Sequence, residues 1–282
     1  MRYFRRALDE LGYSESSLII EARFYEGDME QLQAAIAELV RAPVDVLVTL
    51  STRPTLLAKQ ATSTIPIVFA SVFDPVGSGI VANLARPGGN ITGAAVGVGG
   101  AGLGGKWLQL LKEIAPKIDR VGVLANPDNP ASMASANEAA NAAPALGIGL
   151  DLRQVKTAQH LQTEMAAIEN SRAGGLLVTN DPIFTNHRDE ILSFAARTRT
   201  PAIYYYSLFV ERGGLISYGA EQADSIRRAA RYVDKILRGA RPGDLPIDQP
   251  THFSLHVNLK TAAELGLAVP AKILAQADQL IE

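Results

Sequence analysis

The 282-residue sequence contains no cysteine, which excludes disulfides, thiolate metal sites and a cysteine nucleophile. It has little net charge: 27 lysines and arginines against 29 aspartates and glutamates give −2, so there is no broad basic footprint for nucleic acid. No apolar run reaches the roughly 18 residues of a membrane span. The basic opening "MRYFRRALDELGYSE" is not followed by the apolar stretch of a signal peptide. There is no G-x-S-x-G elbow, nothing before Leu18 can form a helix-turn-helix, and no low-complexity tract or charged linker marks a boundary. What is there is globular in kind. Apolar residues make up 47% and charged residues 20%, in a chain long enough for one large α/β domain or two of ordinary size.

Periodicity supplies the organisation. Phe4, Ala7, Leu8 and Leu11 repeat at helical spacing, so the chain opens in a helix closed by Gly12. "SLIIEARFY" alternates and predicts a strand; "DMEQLQAAIAELVRA" predicts a helix with Asp28 as its N-cap. "VDVLVTL" is a continuous valine-rich run, the mark of a parallel strand covered on both faces. The alternation continues with a helix near Pro54–Thr62, strand "IPIVFAS", a short helix from Ser78 and strand "NITGAAV". A second series has helices from Leu103, Ser132, Ala158 and Asn186 between strands "RVGVLAN", "GLDLRQV", "GGLLVTN" and "PAIYY". Strands alternating with helices mean βαβ units and parallel sheets. Eleven or so units are too many for one sheet of usual size, which favours two doubly wound domains over an eight-fold barrel. The late strand "HFSLHVN" and two short helices, the second from Pro270, suit a chain returning across two lobes.

Ligands of doubly wound sheets bind beyond the carboxyl ends of the strands. There the sequence places Ser51-Thr52, Asp74-Pro75, Asn126-Pro127 and Asn180-Asp181-Pro182. Each alone is an ordinary strand-to-helix turn; repeated in both halves, they line a cleft with carboxylates, amides, hydroxyls and helix N-termini. That set suits a small zwitterion. Ser51, Thr52 or Ser78 would meet a carboxylate, Asp181 or Asp74 an ammonium, and Tyr204, Tyr205, Tyr206 or Tyr218 a side chain. Consecutive tyrosines on a strand alternate faces, so at least one of Tyr204–Tyr206 belongs to core or surface.

Other motifs fare less well. "VGVGGAGLGGKW" satisfies G-x-G-x-x-G from Gly97 and Gly100, and G-x-x-x-x-G-K from Gly100. A Walker lysine is followed by Ser or Thr, whereas Trp107 follows Lys106. A dinucleotide fold wants an acidic residue ending the next strand; Asp119 precedes that strand and Asn126 ends it. The glycines read instead as a flexible connection or hinge into the helix from Leu103. Trp107 opens an amphipathic helix and reads as core. His252 and His256 fall on the polar face of an alternating strand and read as solvated, as do the isolated His160 and His187. "RRAARYVDKILRGAR" reads as a helix with a solvated charged face. No metal or cofactor is expected.

The stretches "DPVGSGIVANLARPGGNITG", "GKWLQLLKEIAPKIDRVGVLANPDNP", "NDPIFTNHRDEI" and "PAIYYYSLFVERGGLISYG" resemble the tryptophan/tyrosine-type ABC transporter substrate-binding proteins, and the likeness extends to the C-terminus. The resemblance implies an α/β, type I periplasmic-binding-protein architecture: two Rossmann-like lobes, parallel sheets with helices on both faces, three crossovers and a ligand between the lobes. Lobe 1 would comprise 1–97 and 220–250, and lobe 2 would comprise 98–219 and 251–282. It also implies a non-enzymatic monomer that carries an amino acid, notably an aromatic one, to a membrane permease. The expected location is periplasmic or lipid-anchored outside the cytoplasm. By position, the implied ligand residues are Ser51, Thr52, Asp74, Asn126, Asn180, Asp181, Tyr204, Tyr205 and Tyr218. The family's first strand precedes the helix that here begins at Met1, so the first strand of lobe 1 is expected to be missing and the natural start to lie upstream. The alternatives are the effector domain of a sugar- or purine-type repressor, which shares the fold, and an α/β nucleotide- or phosphosugar-dependent enzyme.

Overall fold

A computed structural model describes residues 1–25, 29–97 and 103–282. The N-cap expected at Asp28 and the glycine hinge over 98–102 lie outside the described residues. The chain runs α1 (Arg2–Glu10), α2 (Met29–Arg41), β1 (Leu47–Leu50), α3 (Thr52–Ala61), β2 (Ile67–Phe73) and β3 (Ile91–Gly97). Then come α4 (Leu103–Ile114), β4 (Arg120–Ala125), α5 (Pro130–Ala142), β5 (Gly149–Gln154), α6 (Ala158–Asn170) and β6 (Gly175–Val178). α7 (Pro182–Asn186), α8 (Arg188–Arg197), β7 (Ala202–Tyr204), α9 (Ser207–Val210), β8 (Ile216–Gly219) and α10 (Gln222–Leu237) follow. The chain closes with β9 (Ser254–Asn258), α11 (Leu259–Glu264), α12 (Ala271–Gln276) and β10 (Gln279–Ile281). It forms two compact units, Met1–Gly99 with Glu221–Thr251 and Gly100–Ala220 with His252–Glu282, so the backbone passes between them three times.

Unit 1 holds a parallel sheet in the order β1-β2-β3. β2, "IVFASVF", is buried along its length, as a central strand covered by helices on both faces must be. Val68 and Ala70 pack with Ala7 and Leu8 of α1 and Ala229, Ala230 and Val233 of α10. Ile67, Phe69 and Val72 face the other way, toward Leu32 and Ile36 of α2 and Ala58 of α3. The parity changes between Phe69 and Val72 because Ser71, at φ 56°, is an extra residue: Ala70 pairs with Ala94, but Val72 with Ala95. Such a bulge shifts every later side chain to the opposite face.

Two expectations fail in unit 1. Residues 18–25 form no strand; Ile19 is 86% and Phe24 78% exposed. Alternation makes a segment suitable for a sheet, but a strand exists only through a neighbour's ladder, and this segment is held instead by Arg23, whose Nε donates to Glu38 Oε2 of α2 at 2.8 Å. From Ser78 there is a turn and no helix. Ser78 N donates to Asp74 O at 2.9 Å and Ile80 N to Pro75 O at 3.0 Å, and Gly79 at φ 74° ends the winding.

Unit 2 holds a seven-stranded sheet in the order β10-β9-β8-β7-β6-β4-β5. All neighbours are parallel except β8 and β9. The indole of Trp107, 1% exposed on α4, donates through Nε1 to Tyr218 O at 2.7 Å; this is the core role expected of it. β8 and β10 were not foreseen: each is short, and β10 carries too much exposed surface to show an apolar run. His256 departs from its solvated expectation. It stands opposite Ser217 in the β8–β9 ladder and is buried, while His252 reaches Asp278 Oδ1 at 2.9 Å. Every residue of β9 is buried, so the strand has no solvated polar face.

Candidate functional site

The order β5-β4-β6 makes β4 the strand from which the sheet of unit 2 grows in both directions. The carboxyl ends of β4 and β6 therefore flank a topological switch point, where adjacent loops part and leave a crevice. Asn126 follows β4, and Asn180 and Asp181 follow β6. Asp181, 2% exposed, is the N-cap of α7, and its Oδ1 accepts from Ile183 N at 2.8 Å. Its Oδ2 accepts from Asn126 Nδ2 at 3.1 Å and Asn129 Nδ2 at 2.7 Å. Asn126 Oδ1 takes the N–H of Asp128 at 3.0 Å, and Asn129 Oδ1 takes that of Ala131 at 3.1 Å, capping α5. Ser132 Oγ accepts from Asn126 N at 2.8 Å and lies 2.6 Å from Thr179 Oγ1. The sequence brought out Asn126, Asn180 and Asp181. It missed Asn129, Ser132 and Thr179; of these only Asn129 carried a signal, as an N-cap followed by proline at N1.

In unit 1 the corresponding strand ends carry backbone strain. Ser51, Ser71 and Asp74 have φ of 77°, 56° and 46°, a region costing a non-glycine residue about 1–2 kcal/mol and concentrated at functional sites. Ser51 stands at the N-cap position of the ten-residue helix α3, yet its side chain makes no capping bond, and its Oγ is buried without a hydrogen-bond partner among the described residues. Thr52 is buried beside it. Thr55 anchors this corner, donating to Ser51 O at 2.7 Å with its hydroxyl 2.8 Å from that of Thr49. The other candidates are engaged locally: Asp74 Oδ1 accepts from Gly77 N at 2.9 Å, and Ser78 Oγ donates to Asp74 O at 2.7 Å.

The tyrosines divide as alternation requires. Tyr204 is buried and stacks on Phe209 at 4.6 Å in the core of unit 2, and burial alone pushes its phenol far above the ordinary range. Tyr205 turns the other way, edge-on to Trp107 at 5.8 Å and to Tyr206 at 4.6 Å. Tyr218 is half-buried and stacks on Phe253 at 5.9 Å. Its phenol is raised by burial and by Asp278.

The glycine-rich stretch has a packing purpose where it is described. A Cβ on Gly104 would stand 2.3 Å from Ser135 O and 2.5 Å from Ala139 N, so this glycine lets α4 approach α5. Gly104 N donates to Glu138 Oε2 at 3.2 Å. A carboxylate thus sits where a phosphate-binding loop would hold its anion.

Comparison with known proteins agrees with this architecture. The sequence model of the family described as ABC transporter substrate binding protein matches residues 2–281. The chain is 24% identical over 265 residues to a tyrosine-binding protein of Clostridioides difficile, covering 94% of this chain and 75% of that protein. Its structure resembles an ABC domain in complex with L-Trp from Streptococcus pneumonia, with a TM-score of 0.90, 24% identity and coverage of 99% and 94%. A conserved domain protein from Vibrio cholerae aligns with a TM-score of 0.91, 27% identity and coverage of 99% and 93%. The chain belongs to the ABC transporter substrate-binding protein family, with the α/β fold of type I periplasmic binding proteins. Its function is that of the solute-binding component of an ABC transporter.

Proposed function

We propose that the protein binds an L-amino acid with an aromatic side chain between two lobes, 1–97 with 220–250 and 98–219 with 251–282, and delivers it as a monomer to a membrane permease outside the cytoplasm. It performs no chemistry on the ligand. In unit 1, Ser51 and the first-turn N–H groups of α3, with Thr52, take the ligand carboxylate; the buried Ser51 hydroxyl, held at φ 77° with no partner among the described residues, carries this reading. An anion at a helix start is favoured by the dipole and by orphan N–H donors. In unit 2, Asp181 takes the ammonium, oriented by Asn126 and Asn129, with Asn180 beside it. Asp74 and Ser78 shape the rim, and the Tyr205–Tyr218 region walls the side chain. Lobe closure expels water and strengthens the ammonium–carboxylate attraction. The tyrosine-binding relative and the tryptophan-bound neighbour support the aromatic class.

Isothermal titration calorimetry with L-tryptophan, L-tyrosine and L-phenylalanine, against L-alanine and D-tryptophan, tests the proposal. Saturable binding of an aromatic L-amino acid with negative heat-capacity change is expected. Absence of binding by all three aromatic L-amino acids overturns it.

A further inference from the structure

We propose that Arg228 is a positioning residue for lobe closure: within unit 1 it ties the start of α10 to β3 and to the segment that precedes Thr251. The inference rests on the solute-binding reading above. Two of the passages lie among the described residues, at Ala220–Glu221 and Thr251–His252, and β3 is the last described element of unit 1 before the remaining one. Helix α10 begins directly after the first of these two, and Arg228 lies two turns along it with its side chain only 11% exposed. Its guanidinium reaches β3 and the segment before the last passage. One nitrogen, Nη2, donates to Ala95 O of β3 at 3.1 Å, just before the chain leaves unit 1. The other, Nη1, donates to Asp248 Oδ1 at 2.9 Å and Gln249 O at 2.8 Å, just before the last passage. Nε faces Asp224 Oδ2 at 3.3 Å, one turn back toward the start of α10.

The backbone around this fork is already in register. Asp248 bridges Ala94 in parallel, with Ala95 N donating to Asp248 O at 2.7 Å and Asp248 N to Gly93 O at 3.0 Å. Two carboxylates neutralise the charge, but the bonds to Ala95 O and Gln249 O fix main chain, which neutralisation alone does not require. A rigid planar fork with five donors does this; a lysine ammonium cannot reach all of these acceptors in one geometry. Ser225, three residues earlier on the same helix, lies 2.7 Å by its Oγ from that of Ser71, the strained bulge residue of β2. One helix face therefore touches both the candidate ligand strand and the roots of the passages. By contrast Arg231 of the same helix is exposed, the solvated position expected for the whole basic run.

The test compares Arg228→Lys and Arg228→Met with Arg231→Met. Hydrogen exchange in the ligand-free protein should rise about tenfold at the Ala95 and Asp248 amides in both Arg228 variants and stay unchanged in β4 and β6. Small-angle scattering with and without L-tryptophan should show a smaller ligand-induced compaction, and Kd should rise about tenfold. Arg228→Lys should not rescue, and Arg231→Met should match the parent. Unchanged exchange at Ala95 and Asp248 overturns the proposal whether or not an amino acid binds. Lower melting temperature with unchanged Kd and compaction also overturns it, reducing Arg228 to a stability role. Failure of the parent protein to bind any amino acid would sink the solute-binding reading instead, and with it the closure role.

Discussion

Asn129 Nδ2 lies 2.7 Å from Asp181 Oδ2 across 52 residues of chain, joining the N-cap of α5 to the N-cap of α7. The carboxylate is thus shared between two helix starts and the strand-end amide of Asn126. Asp181→Ala leaves Asn126 Nδ2, Asn129 Nδ2 and Ile183 N–H without this acceptor. Unsatisfied buried donors cost about 1–3 kcal/mol, so urea unfolding should show a lower midpoint at unchanged m-value. Amino-acid affinity should fall by about two orders of magnitude, as for loss of a buried charge partner. Parent-like stability would contradict the network described.

Ser51→Gly should act in opposite directions on stability and binding. Glycine removes the strain of φ 77°, worth about 1 kcal/mol, and sacrifices a hydroxyl that has no partner among the described residues. The expected result is a raised melting temperature with roughly tenfold weaker ligand binding, about 1.4 kcal/mol. Calorimetry on the two proteins checks both halves.

Gly104→Ala should destabilise. Alanine gains about 1 kcal/mol of helix propensity over glycine, but its Cβ would stand 2.3 Å from Ser135 O and 2.5 Å from Ala139 N. Helix separation against main-chain atoms costs about 1–3 kcal/mol, so the net effect in a denaturant titration is a loss. A gain in stability would mean that α4 and α5 do not pack so closely.

Acid should weaken the edge of the unit 2 sheet. Burial pushes the Asp278 carboxyl up, but the Leu255 N–H and His252 outweigh it and leave the group below its ordinary value. A carboxyl with a depressed folded value adds stability that is fully present above its unfolded value, about 3.9, and is lost as pH falls through the folded value. Asp278 N also donates to Leu255 O at 2.8 Å, so the residue pins β10 to β9. Melting curves from pH 6 to about pH 2 should therefore fall less steeply for Asp278→Asn than for the parent. Identical slopes would remove the assignment.

The sheets were largely legible because parallel strands write themselves as continuous apolar runs. β2, "IVFASVF", is buried at every position, as its composition demands. Residues 18–25 carry an equally good pattern and form no strand, since pairing is a property of neighbours and not of the segment. The same limit hid the bulge at Ser71, which only the register of β3 discloses. At the site, residues that follow strands could be read directly: Ser51, Asn126 and Asp181. Their partners could not: Asn129 shows in the sequence only as an N-cap, and Ser132 and Thr179 not at all, because their roles depend on two strand ends being adjacent. Arg228 shows the converse. Its sequence surroundings are those of a solvated helix face, and only the fold brings Ala95 and Gln249 within its reach.

The most direct measurement of the central claim is a thermal-shift screen of the standard amino acids against the protein. A ligand at a hundredfold excess over Kd adds about 2.7 kcal/mol, a rise in melting temperature of several degrees. The account predicts that rise for aromatic L-amino acids and its loss in Asp181→Ala. No shift with any aromatic L-amino acid would contradict it.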